Sequence, residues 1–180
     1  HTANRRQRQM CIRDSKKAFE LMVPKLETHD GVKISSSRIR NLLNQGDIIG
    51  ARECLGRDYM LSGTVVSGEK LGRKLGYPTA NIRLEYDYPL DGVYLTRTVI
   101  EEKNYVGLAS LGNKPTFNGS EKILEVFILD FDEDIYSQNI EVYFLEEIRK
   151  QIKFSNEDEL IKQMNEDHKY AIINSKKYGI

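Results

Sequence analysis

From Tyr59 onward the chain is divided into short runs rich in Val, Ile, Tyr and Thr, and this division limits the fold more than any other feature. The runs cover residues 59–67, 92–100, 105–111, 122–131 and 140–148. Branched and aromatic side chains suit a pleated, half-buried surface. Asp87-Tyr88-Pro89-Leu90-Asp91-Gly92 and Asn118-Gly119 supply turns between runs. Five or six short antiparallel strands at this spacing predict a closed barrel, which leaves no strand edge unpaired. After the last run, Leu160, Ile161, Met164, His168 and Ile172 recur at helical spacing. A terminal helix is therefore predicted to lie against the barrel, with Ser155 as N-cap and Asp158 at its third position.

Before Tyr59 the texture is helical. A short helix over 16–23 ends at Pro24, and residues 31–34 read as a short strand. Ser35-Ser36-Ser37-Arg38-Ile39-Arg40 opens a helix that runs to about Gln45. Asp47 is placed as the N-cap of another, with Gly56 just past its end. Residues 1–15 are basic and lack apolar periodicity or a secretory core. The chain starts at His1 and reads as a fragment. Residues 6–15 resemble a translated sequencing adapter and are set aside from fold reasoning; the other reading is a solvated basic arm around Arg5, Arg6 and Arg8.

The 180 residues allow one domain and part of another. Lys and Arg number 27 and so do Asp and Glu, so the charge balance argues for no nucleic-acid surface. No apolar run reaches membrane-spanning length. Cys11 and Cys54 stand alone, which fits a reducing compartment and a cytoplasmic protein. No obligate protein partner is evident.

The densest local signal is Gly63 to Ile82, with Gly63, Gly68, Gly72 and Gly76 followed by Pro78-Thr79-Ala80-Asn81. Glycines let backbone N–H groups approach an anion with no Cβ in the way. A threonine hydroxyl and an asparagine carbonyl two residues apart share one side of an extended segment, and both are hard oxygen donors suited to magnesium. Pro78 stiffens the approach. The run departs from the Walker pattern, because Glu69 precedes Lys70 and no Ser or Thr follows. A glycine-rich hairpin on a β domain is the plainer reading.

Glu125 is the only charge in Ile123-Leu124-Glu125-Val126-Phe127-Ile128-Leu129. Alternation puts Leu124, Val126 and Ile128 on one face and Glu125, Phe127 and Leu129 on the other. Both faces are apolar, so a carboxylate there needs partners or a task; a rim Glu paired with Lys122 is the alternative. Asp130, Asp132 and Asp134 have calcium-loop spacing, but Ile135 stands where the sharp turn needs glycine, so an acidic hairpin turn is expected.

Gly72-Arg73-Lys74-Leu75-Gly76-Tyr77-Pro78-Thr79-Ala80-Asn81 resembles the signature of riboflavin kinases. Gly92-Val93-Tyr94, Leu111-Gly112-Asn113-Lys114-Pro115-Thr116-Phe117, Leu124 to Phe131 and Ile148-Arg149 resemble that family's later motifs in the same order. The resemblance covers roughly residues 59–173, about one small domain. It implies a mainly β fold, a six-stranded antiparallel Greek-key barrel with a C-terminal helix. It implies ATP and magnesium as cofactors, riboflavin as substrate and FMN as product.

By the same resemblance Glu125 is the general base and Thr79 and Asn81 are the magnesium ligands. Gly63, Gly68, Gly72, Arg73, Lys74, Gly76 and Pro78 belong to the phosphate loop. Asn113, Thr116, Phe117 and Arg149 lie in substrate-binding motifs, with Phe117, Tyr136, Tyr143 and Phe154 as aromatic candidates for stacking on flavin. Ser35-Ser36-Ser37-Arg38-Ile39-Arg40 resembles the Ser-Ser-x-x-Ile-Arg motif of nucleotidyltransferases. Residues 16–57 are accordingly read as the α-rich remnant of a Rossmann-like FMN adenylyltransferase domain, 1–15 as a tail and 58–180 as the kinase domain. Adenylyltransferase activity is not expected. The alternatives are a truncated bifunctional FAD synthetase and a non-catalytic flavin-binding barrel.

Overall fold

A computed structural model describes residues 27–68, 71–84, 86–116 and 119–180; at 71, 113–116 and 119–122 it describes the backbone alone. The adapter-like segment and the helix expected over 16–23 lie outside the described residues. The chain divides into two compact units, His1–Ile34 and Ser35–Ile180. In the first, β1 (Thr28–His29) and β2 (Val32–Lys33) pair antiparallel, with His29 opposite Val32. Asp30 and Gly31 both have positive φ, 51° and 71°. That is the two-residue Asp-Gly turn whose twist matches a hairpin.

The second unit opens with α1 (Ser36–Gln45) and α2 (Ile48–Leu55). The Ser35 hydroxyl accepts from Arg38 N at 3.2 Å, and Asp47 Oδ1 from Gly50 N at 2.8 Å. Each helix closes on a glycine in the left-handed region, Gly46 and Gly56. Leu43, Ile48 and Ala51 of these helices join the same apolar core as the barrel.

Six strands form the barrel: β3 (Tyr59–Val66), β4 (Thr79–Arg83), β5 (Gly92–Ile100), β6 (Lys103–Thr116), β7 (Gly119–Ile128) and β8 (Asn139–Arg149). The sixth strand, β4, is the Thr-Ala-Asn segment itself. Neighbours run β3-β4-β7-β6-β5-β8, and β8 closes onto β3. β5, β6 and β7 meander, and β8 returns to lie beside β5, which is the Greek-key connection.

Alternation decides the two barrel faces. Tyr94, Leu124, Val126, Ile140, Val142 and Phe144 fill the interior. Leu95, Leu108, Leu129 and Leu145 face outward and are covered by Ala171. Ala171 belongs to α3, the long C-terminal helix (Glu157–Asn174; the four-residue helical turn Leu71–Lys74 is left unnumbered). A 3₁₀ turn, Ser175–Tyr178, follows.

One expectation for α3 is corrected and a second holds in part. Its N-cap is Asn156, not Ser155: Asn156 Oδ1 accepts from Glu159 N at 2.9 Å, and Glu159 Oε2 accepts from Ser155 N at 3.0 Å. The reciprocal cap therefore uses Glu159 at the third position, one residue past Asp158. Of the predicted inward stripe, Leu160, Ile161 and Met164 are half-buried and the His168 ring meets Phe127 of β7 edge-on at 5.8 Å, but Ile172 falls outside it. Asp167 and Ala171 are its buried residues, while Ile172 is 48% exposed. Asp167 is paired there with Arg149, Nη2 to Oδ2 at 2.7 Å.

Candidate functional site

Strand order assembles the site. Asn81 on β4 is the register partner of Glu125 on β7, and Glu125 is the partner of Ser110 on β6. The row continues through Val93 on β5 to Arg149 on β8. Cross-strand partners share a face, and neighbouring strands lie about 4.8 Å apart. A second row, Thr79–Phe127–Leu108, runs beside the first. All eight residues line one cavity of about 320 Å³, whose opposite wall includes Leu160, Met164 and Asp167 of α3. Leu124 and Val126 are fully buried inside the barrel, so Glu125 lies on the outer face, toward this cavity.

Thr79 also lines a second cavity of about 360 Å³, together with Arg73, Pro78 and the 131–136 segment. Two cavities thus share Thr79, on the strand next to the one that carries the carboxylate. Asn81 is 8% exposed, and its Nδ2 donates to Thr79 O at 3.3 Å. That bond assigns the amide, so Oδ1 is the atom available as a donor to a cation.

The loop from β3 to β4 is built around glycine. Gly72 O accepts from Tyr77 N at 2.8 Å, and a Cβ on Gly72 would stand 3.5 Å from Thr79 Oγ1. A Cβ on Gly68 would stand 2.6 Å from Asn81 Cγ. Gly68→Ala is therefore expected to push the Asn81 carboxamide aside. A displacement near 1 Å at a reacting centre costs about a hundredfold in rate. Any reaction that uses Asn81 should slow by that order with little change in melting temperature, and a Gly68→Ala variant that leaves it unchanged would refute the packing argument.

Other expected residues separate. Gly63 lies inside β3, where a Cβ would meet Ile82 Cγ2 at 2.6 Å, and it lines neither cavity. Gly76 has φ 84° and faces open space. Lys74 is exposed and lines neither cavity, whereas Arg73 lines the second. Asn113 and Thr116 lie on β6 opposite Lys122 and Gly119, with side chains outside the described residues. Phe117 is outside them altogether. Of the other aromatic candidates, Phe154 lines the first cavity and Tyr136 the second. Tyr143 lies under Arg97, 4.0 Å from ring centre to guanidinium carbon, away from both.

Arg149 is in the first cavity's wall, and its guanidinium is engaged from below. Its Nε donates to both oxygens of Asp167 at 3.1 Å, and Nη2 to Oδ2 at 2.7 Å. Gln163 Nε2 adds a bond to Asp167 Oδ1 at 3.0 Å. Sequence reasoning missed Asp167, Tyr77, Phe127, Ser110 and Gln151. Tyr77 donates to Asn165 Oδ1 at 2.7 Å, and its ring meets Phe127 edge-on at 5.1 Å. Its position directly before Pro78-Thr79 was the available signal.

Fold and site together define a closed Greek-key barrel with one cavity lined by a threonine, a carboxamide and a carboxylate, and a second that shares the threonine. The family model for flavokinase, riboflavin kinase, matches residues 55–173. This chain belongs to the riboflavin kinase family. Two relatives bear the name bifunctional riboflavin kinase/FMN adenylyltransferase. The one from Haemophilus influenzae is 41% identical over 140 residues, 77% of this chain and 46% of its own. The one from Bacillus subtilis is 38% identical over 161 residues, 87% of this chain and 51% of its own.

The chain spans about half the length of these curated relatives. A crystal structure of a Streptococcus pneumoniae protein named as a macrolide-efflux protein is similar at TM-score 0.79. It is 37% identical and aligns with 88% of this chain and 54% of that one. Among the described residues no helix is long and apolar enough to cross a membrane.

Proposed function

We propose that this domain transfers the γ-phosphate of ATP to the 5′-hydroxyl of riboflavin, giving FMN and ADP. The observation that carries the reading is the in-register pair Asn81 and Glu125, beside a Thr79 that borders both cavities. Flavin occupies the cavity under α3, where Phe127, Phe154, Leu160 and Met164 offer apolar walls. The nucleotide occupies the other, with its phosphates toward Arg73 and Thr79. Glu125 accepts the proton of the 5′-hydroxyl as that oxygen bonds to the γ-phosphorus. The bond from γ-phosphorus to the bridging oxygen breaks, and ADP departs with that electron pair.

Thr79 Oγ1 and Asn81 Oδ1 would hold a magnesium ion. Two neutral oxygens suit an ion that keeps several waters and takes phosphate oxygens as its other ligands. Magnesium bound there supplies charge neutralisation at the β- and γ-phosphates. Thr79→Ala should weaken magnesium-dependent ATP binding at least tenfold, since even indirect supports of a metal are worth about ten- to a hundredfold. Nucleotide affinity and turnover that stay level across a magnesium titration would remove Thr79 from this role.

The deciding assay combines the protein, riboflavin, ATP and magnesium and separates the flavins. FMN is the expected product. Riboflavin that binds but stays unchanged would favour a binding module, and FAD would restore the adenylyltransferase reading. We assign residues 16–57 to the adenylyltransferase remnant and 58–180 to the kinase domain. We place the protein in the cytoplasm, in keeping with its two widely separated cysteines.

A further inference from the structure

The row that carries Asn81 and Glu125 contains a third polar side chain, Ser110, which no motif singles out. Gln151 fixes its hydroxyl. The Gln151 amide nitrogen lies 3.0 Å from Ser110 Oγ, 3.0 Å from Leu111 O and 3.2 Å from Gly92 O. Three oxygens around one terminal atom identify it as Nε2, the donor. Ser110 Oγ therefore accepts from Gln151, and its single proton is left to donate. It donates to no acceptor among the described residues, and the side chain lines the cavity under α3.

We infer that Ser110 is a binding residue for the hydroxylated tail of the substrate, donating a hydrogen bond to a hydroxyl upstream of the reacting one. The inference rests on the proposed function and adds a contact to the same site. Along the row, side chains pass from cation ligand (Asn81) to base (Glu125) to hydroxyl donor (Ser110) to an apolar residue (Val93). A substrate with one reacting end, a polyhydroxyl tail and a flat ring matches that sequence of chemistries. Ser110 stands about 4.8 Å beyond Glu125, one strand over. A chain reaching Glu125 with its terminal hydroxyl passes Ser110 with the next part of its tail. Ser110 thus distinguishes a polyhydroxyl tail from an alkyl one, while the ring is held elsewhere.

The test compares riboflavin with lumiflavin, the same isoalloxazine ring with a methyl group in place of the ribityl tail, by fluorescence titration of wild type, Ser110→Ala and Ser110→Thr. Ser110→Ala should weaken riboflavin binding about tenfold, as expected for one lost hydrogen bond. Lumiflavin binding should stay within about twofold, and Ser110→Thr, which keeps the hydroxyl, should bind riboflavin nearly as wild type. In turnover, the KM for riboflavin should rise while the KM for ATP holds. Equal losses for both ligands, or no loss for riboflavin, would overturn the inference. A wild type that binds riboflavin with this tail dependence but forms no FMN would sink the kinase reading and leave the Ser110 contact standing.

Discussion

Glu125→Gln should reduce turnover by about 10²- to 10⁴-fold, the usual share of a positioned general base, while fold and flavin affinity persist. The substitution keeps shape and removes the capacity to take a proton at neutral pH. Glu125 sits on the outer face of β7, between Asn81 and Ser110 in register, and lines the cavity under α3. Its inward neighbours Leu124 and Val126 are fully buried and unaffected by a change on the opposite face. FMN formation gives the rate, flavin titration the affinity and thermal melting the fold. A variant with near-normal turnover would take Glu125 out of the base role. Lost turnover together with lost flavin binding would point to a binding role instead.

Asp167→Ala should cost about 3–5 kcal/mol of stability, the ordinary penalty for stripping one partner from a buried pair. Asp167 is 4% exposed and holds three contacts from Arg149 and one from Gln163. Its loss leaves Arg149, whose side chain is 16% exposed, without its carboxylate. The melting temperature should fall on the order of 10 °C. Replacing both partners with apolar residues, as in Arg149→Met with Asp167→Leu, should recover much of the loss, because no charge is then left unpaired. Chemical denaturation decides it. A single variant within about 1 kcal/mol of wild type would show that the pair is solvated in solution.

Much of this was open to a reader of the sequence, for local reasons. Ser35, Asp47 and Gly56 mark helix ends through contacts within four residues, and the structure places the ends there. Alternation in β7 separates Leu124 and Val126 from Glu125 without knowledge of any neighbour. The cap at Asn156 shifted by one residue because Ser and Asn both accept from a helix N-terminus, and only the bond to Glu159 N distinguishes them. Spacing found Leu160, Met164 and His168 on the barrel side of α3 but added Ile172, whereas Arg149, eighteen residues before Asp167, makes a charged residue the buried one.

Period and turn chemistry thus determined which segments extend, where helices begin and which side of β7 carries the carboxylate. Those properties depend on neighbours a few residues apart along the chain. Tertiary structure alone decided that Asn81, Glu125 and Ser110 stand side by side, that Thr79 borders two cavities, and that Gln151 donates to the Ser110 hydroxyl. A strand's pattern reveals its faces but not its neighbours. The order β4-β7-β6 is set by closing six strands around one core, a choice that belongs to the whole barrel.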